Sequence, residues 1–144
     1  MEIRKYNNDD FKKVVEVLID SFPESSDKIN EFLTDSEMLE LDSNRFIQLV
    51  AVEDNLVVGY TLVTRSIDPI IGRVNFWIDY VCVDKNYRGR GFARELLLEI
   101  EKIARGENVL YLQLTSNRSR TIARKIYLDF GFEIRESDIF RKVM

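Results

Sequence analysis

At 144 residues, with 45% hydrophobic and 32% charged side chains, the chain has the length and balance of one compact domain, which excludes disordered and fibrous readings. Its 21 basic and 25 acidic residues leave a net charge of −4, which argues against nucleic-acid binding through general charge. One cysteine and no histidine remove disulfides, histidine triads and nearly every zinc site, so acid and base work falls to carboxylate, tyrosine, cysteine, lysine or water.

Met1 to Tyr6 lacks the apolar core of a signal peptide, and no apolar run approaches the roughly 20 residues that span a bilayer. The chain therefore reads as cytoplasmic, without a membrane partner. Ile3 to Tyr6 predicts an opening strand. Asn7-Asn8-Asp9-Asp10 then supplies capping side chains for a helix with Phe11, Val14, Val15, Leu18 and Ile19 on one face, closed by Pro23. Ser25-Ser26-Asp27 predicts a shorter second helix through Ile29, Phe32 and Leu33, and the acidic stretch 35–42 carries no clear periodicity.

Phe46 to Val52 and Leu56 to Val63 read as a hairpin around Glu53-Asp54-Asn55, with Gly59 marking a bulge or a close approach. Asp68-Pro69 and Gly72 punctuate the next connection, and Val74 to Val83 predicts a long strand. A helix from Phe92 to Arg105 would bury Ala93, Leu96, Leu97, Ile100 and Ile103, with Gly106 at its C-cap. Val109 to Leu114 predicts a strand, Ser119 to Phe130 a helix stopped by Gly131, and Phe132–Arg135 with Ile139–Val143 a terminal hairpin. This order predicts an α/β domain with a mixed sheet.

Between the long strand and the Phe92 helix lies Arg88-Gly89-Arg90-Gly91. Glycine permits φ > 0 and a close ligand approach, and the free amides of an incipient helix favour an anion. Two flanking arginines suit a pyrophosphate better than a lone carboxylate.

With this turn and the segment Thr115 to Phe132, the chain resembles the GNAT superfamily of acetyl-CoA-dependent N-acetyltransferases over nearly its whole length. Arg88-Gly89-Arg90-Gly91-Phe92-Ala93 fits that family's pyrophosphate signature. The later segment resembles the part in which an Asn ends a strand and a helix carries Ala and Tyr into Gly-Phe, in the branch with an Arg three residues after the Asn. The resemblance implies a single domain over residues 1–144, α/β or α+β depending on the scheme. It would have a mixed, mostly antiparallel sheet of about seven strands and about four helices. It also implies that Val81, Cys82 and Val83 pair with pantetheine, that Arg88, Gly89, Arg90, Gly91, Phe92 and Ala93 hold the pyrophosphate, and that Asn117 contacts the pantetheine arm. Tyr127 would lie near the thioester sulfur as the acid.

The implied partners are acetyl-CoA as cosubstrate and an amine acceptor, with no metal and no nucleic acid, in a monomer or homodimer. An alkylamine of pKa about 10.4 is mostly protonated at neutral pH, a penalty of roughly 4 to 5 kcal/mol without assistance. Asp79, interrupting the apolar run Phe76 to Val83, is the candidate that assists, as base, water-orienter or substrate grip, or else a strand-edge charge. Tyr127 alone could be core, Asn117 could cap the following helix, Trp77 and Tyr80 could line the acceptor pocket or the core, and Cys82 reads as an apolar filler. A non-catalytic acyl-CoA-binding regulatory module and a nucleotide-binding domain are the alternatives. The latter lacks Gly-x-x-x-x-Gly-Lys-[Ser/Thr].

Overall fold

Two strands rich in β-branched residues, Phe46–Glu53 (β2) and Leu56–Asp68 (β3), are joined by a tight turn in which Asp54 and Asn55 both take positive φ, 51° and 64°. Such a turn matches the right-handed twist of the strands it connects. In a computed structural model describing residues 1–144, this hairpin forms the middle of a sheet with Glu2–Lys5 (β1), Arg73–Val83 (β4) and Leu112–Gln113 (β5). The order is β1-β2-β3-β4-β5; the first four are antiparallel neighbours and β5 runs parallel to β4. Four helices accompany them: Phe11–Ser21 (α1), Ser26–Phe32 (α2), Phe92–Gly106 (α3) and Thr121–Phe130 (α4). None is long and apolar enough to cross a membrane.

The sheet is apolar on both faces, so it needs a cover on each. Val63, Phe76, Ile78, Leu49 and Ile47 pack under Phe92, Leu96, Leu97, Ile100 and Ala104 of α3. Val50, Val52, Val57 and Tyr60 pack under Val14 of α1 and Leu39. Each such fully buried aliphatic side chain contributes about 1.5 to 3 kcal/mol, which is what stabilises helices too short to persist alone. Asp10 ties β1 to the start of α1: Arg4 donates two hydrogen bonds to its carboxylate at 2.8 and 2.9 Å, and the Asn7 amide donates a third at 2.9 Å.

The sheet has five strands instead of the expected seven. Residues 132–144 form no strand, and the segments 132–135 and 139–143 do not pair. Charged side chains interrupt the apolar ones there, and Ile134, Ile139 and Phe140 remain exposed. Without a covered face, a two-stranded hairpin is marginal in water. The strand expected over 109–114 shrinks to two residues: at its start the Val109 amide turns back to the Ala104 carbonyl, and beyond Gln113 the chain has no partner on β4. Gly106 is the last residue of α3, and Asn108, at φ 60°, takes the left-handed position expected of it. The acidic stretch holds a 3-10 turn, Ser36–Leu39, capped by the Asp35 carboxylate and buried at Leu39. At Gly59 both expectations hold. Val58 is an extra residue between the pairs Ala51↔Gly59 and Val52↔Val57, and a Cβ on Gly59 would stand 3.1 Å from Ala51 Cβ and 3.2 Å from the Cys82 carbonyl oxygen.

Candidate active site

Asp79 is itself a bulge. Leu62 pairs with Tyr80 but Val63 pairs with Ile78, leaving Asp79 as the unmatched residue of β4. A bulge shifts the alternation by one, which decides the face each later side chain occupies. Phe76 and Ile78 point to the α3 core before it, and Val81 and Val83 do so after it. The buried Thr61 hydroxyl donates to the Tyr80 carbonyl at 2.7 Å, satisfying an oxygen beside the kink.

The exposed Asp79 carboxylate accepts from the Thr64 hydroxyl at 2.6 Å through Oδ2, which fixes its direction. It opens onto a groove of about 640 Å³ whose lining includes Asp42, Asn44, Thr64, Ser66 and Trp77. Trp77 therefore lines a pocket, and Tyr80 is half exposed with the Phe22 ring edge-on at 5.6 Å. Cys82 is buried on the α1 side. Burial pushes its thiol up to about 11 against weaker pulls from the Ser21 hydrogen bond and from Arg120 and Arg88, so almost none is thiolate at neutral pH.

β5 meets β4 only at Phe76↔Leu112 and Trp77↔Gln113, after which the strands part. From Ile78 to Val83 one edge of β4 has no neighbouring strand. The Asp84 amide donates to Val58 of β3 at 2.8 Å, and in an extended strand Cys82, two residues earlier, points its backbone the same way. Val81 and Val83 therefore direct their N–H and C=O groups into the cleft, while those of Cys82 are used inside the sheet.

Beyond β4, Gly89 and Gly91 have φ of 76° and 86°, and a Cβ at either would meet nothing within 4 Å. The requirement for glycine is conformational, not one of space. Gly91 begins α3 with no side-chain cap, and the amides of residues 88–94 have no hydrogen-bond acceptor within the chain. This concentration of unpaired donors at a helix start favours an anion. Arg90 stacks over the Tyr87 ring at 5.1 Å and pairs with no carboxylate. Arg88 turns back, donating from Nε to the Val83 carbonyl at 2.9 Å and reaching Asp20 at 3.4 Å.

On the far side of the cleft, Tyr127 of α4 is half-buried with Phe132 edge-on at 6.0 Å. Burial pushes its phenol above the ordinary value, partly opposed by the Arg120 charge, so it is protonated at neutral pH. Asn117 sits at the turn into α4; its Oδ1 accepts from the Ser119 amide at 2.9 Å and hydroxyl at 2.8 Å, a local turn ahead of the helix that leaves its N-terminus without a side-chain cap. Its amide nitrogen makes no hydrogen bond.

Three residues at this site escaped the sequence reading. Thr64 left no signal. Asp20 left one, since a carboxylate in the last turn of α1 runs against the helix dipole and calls for cations elsewhere; the Lys85 amide reaches it at 2.6 Å. Arg120 was visible only as the motif's arginine.

Residues 11–132 match the family model described as the acetyltransferase (GNAT) family, and the chain belongs to that family. Its members use acetyl-CoA. Among solved structures, a possible acetyltransferase from Clostridium difficile 630 superposes with a TM-score of 0.84 at 21% identity, covering 99% of this chain and 97% of that one. A ribosomal-protein-alanine N-acetyltransferase from Brucella melitensis biovar Abortus 2308 gives 0.77 at 19% identity, covering 99% and 98%. The aminoglycoside N-acetyltransferase AAC(6')-Iy, in complex with CoA, gives 0.80 at 19% identity, covering 99% and 93%. At these identities the likeness is one of fold. A search of curated sequences finds no match.

Proposed function

We propose that this chain is an N-acetyltransferase that moves the acetyl group of acetyl-CoA to a primary amine of a small molecule or peptide by direct attack in a ternary complex. The observation that carries the reading is the open β4 edge. It runs from the Asp79 bulge, through the outward backbone groups of Val81 and Val83, to the free amides of residues 88–94. An edge of this kind binds an extended amide-bearing chain by adding it as a strand, and the turn beyond it takes phosphate.

Acetyl-CoA supplies the activated acyl group as a thioester. In this reading Val81 through its backbone N–H and C=O, and Val83 through its N–H, its carbonyl being taken by Arg88, hold the pantetheine amides, and the Arg88 to Ala93 turn holds the pyrophosphate with Arg90 as its free cation. The Asn117 amide nitrogen is available to a pantetheine carbonyl. An outward amide of β4 polarises the acetyl carbonyl oxygen. Asp79, held by Thr64, receives the acceptor's proton directly or through a water, and Tyr127 donates one to the departing sulfur. The groove is lined by Asp42 and Asp79 together with Arg45 and Arg65, of which Arg65 is paired with Glu107, and an amine acceptor is in keeping with the substrates named for two of the structural relatives.

Release of free CoA thiol from acetyl-CoA in the presence of an amine panel tests the reaction. Tyr127→Phe tests the acid: turnover should fall about 100-fold with CoA affinity little changed. Unchanged turnover with the best amine removes Tyr127 from the role. Tight CoA binding with no thiol release for any amine would instead favour a non-catalytic acyl-CoA-binding module.

A further inference from the structure

Arg120 immediately precedes α4, and its guanidinium lies 4.9 Å over the ring of Phe22, at the end of α1. Phe22 in turn rests on Tyr80 of β4. The contact thus reaches from the α4 side of the cleft to the β4 side, near the kink at Asp79. Arg120 is exposed, and none of the ion pairs in the molecule includes it. A guanidinium laid on an aromatic face keeps its N–H edges free for an anion.

Two neighbours report where that charge is felt. Burial raises both the Tyr127 phenol on α4 and the Cys82 thiol on β4, and the Arg120 charge partly opposes that rise at each. Arg120 is the residue from which α4 starts, and Tyr127 lies seven residues on, about two helical turns along the same element. The other charged or titratable groups around this point are Cys82, Tyr80, Arg88 and Asp20, with Asp79 further along β4; Arg88 is committed to Val83 and Asp20.

Building on the acetyl-transfer reading, we propose that Arg120 stabilises the negative charge that collects on the departing sulfur, as an electrostatic partner of Tyr127. The C–S bond breaks with its electron pair on sulfur, and the Tyr127 O–H supplies the proton. Arginine stays charged throughout and gives up no proton. The phenolate left on Tyr127 is stabilised by the same guanidinium until it is reprotonated from solvent.

The experiment titrates the thiol of bound CoA by its thiolate absorbance in the wild type, Arg120→Gln and Arg120→Lys, alongside kcat and the dissociation constant of CoA. Arg120→Gln should bind CoA within about threefold of wild type, hold roughly tenfold less thiolate at a given pH, and lose at least tenfold in kcat. Arg120→Lys, which keeps the charge but not the planar stack, should recover part of both. A loss of CoA affinity with the thiol titration unmoved would assign the guanidinium to phosphate and overturn the proposal. So would unchanged titration at unchanged affinity. If Arg120→Gln does not fold, Phe22→Leu frees the guanidinium while keeping its charge; it should move the titration the same way by less, and no movement counts against the idea. Failure of the wild type to bind CoA sinks the acetyl-transfer reading and this one with it.

Discussion

Asp10 is only 5% exposed, and its burial alone would push the carboxyl up, yet the Arg4 hydrogen bonds and the Asn7 amide outweigh that and hold it below the ordinary carboxylate value. A carboxyl depressed in the folded state contributes stability that is present above its unfolded pKa and lost as pH falls through the folded value. Asp10→Asn keeps the shape but leaves Arg4 with a neutral partner. It should cost about 1 to 3 kcal/mol near neutral pH and flatten the acid side of the stability profile, as measured by urea unfolding across pH. An equally steep acid side in the variant would assign that loss to other carboxylates. The capping role of this segment was legible in Asn7 to Asp10. The Arg4 pair was not, because it joins residues whose meeting depends on where β1 lands. Asp79 shows the same division: its identity stood out in an apolar run, but its face waited on the bulge, a property of strand pairing.

The glycines of the elements separate two physical demands. Gly59 needs space: Ala51 Cβ, the Cys82 carbonyl and Leu96 Cδ1 all lie within 3.3 Å of a built Cβ. Gly59→Val should therefore destabilise the sheet by about 1 to 3 kcal/mol, seen as a lowered melting temperature, through overpacking between β2, β4 and α3. Gly91→Ala meets nothing, and its φ of 86° carries a strain of roughly 1 to 2 kcal/mol. In that variant CoA affinity should drop by more than the melting temperature suggests, because the strain moves amides that bear on the ligand. Equal losses at the two positions would sink the distinction. Helices and the central hairpin were readable because their signals are local. The terminal segments were not, since an alternating pattern specifies a strand only where a paired edge and a covered face exist to receive it.

At the scale of the molecule, the order of elements as far as α4 and the glycine turn were legible, and a family match over residues 11–132 accords with them. What could not be read was how little holds β5 in place. Hydrogen exchange makes the open edge measurable. The amides of Val81 and Val83 should exchange quickly in the free protein and slow when CoA is added, while the Cys82 amide is slow throughout. Added CoA at about 100 times its dissociation constant should also raise stability by about 2.7 kcal/mol. Protection gained at Cys82 instead of its neighbours would mean that the backbone faces the other way.

The seam between β4 and β5 is two residues long. Tyr127 stands on one side of it and Asp79 on the other, so the span between these two proposed groups is set by whatever fills the gap above the seam. If acetyl-CoA fills it, the donor acts as a strut that sets the width of the reaction chamber. The kinetic order then follows from architecture: the thioester enters first, the amine second, and the chamber slackens again once the spent thiol leaves.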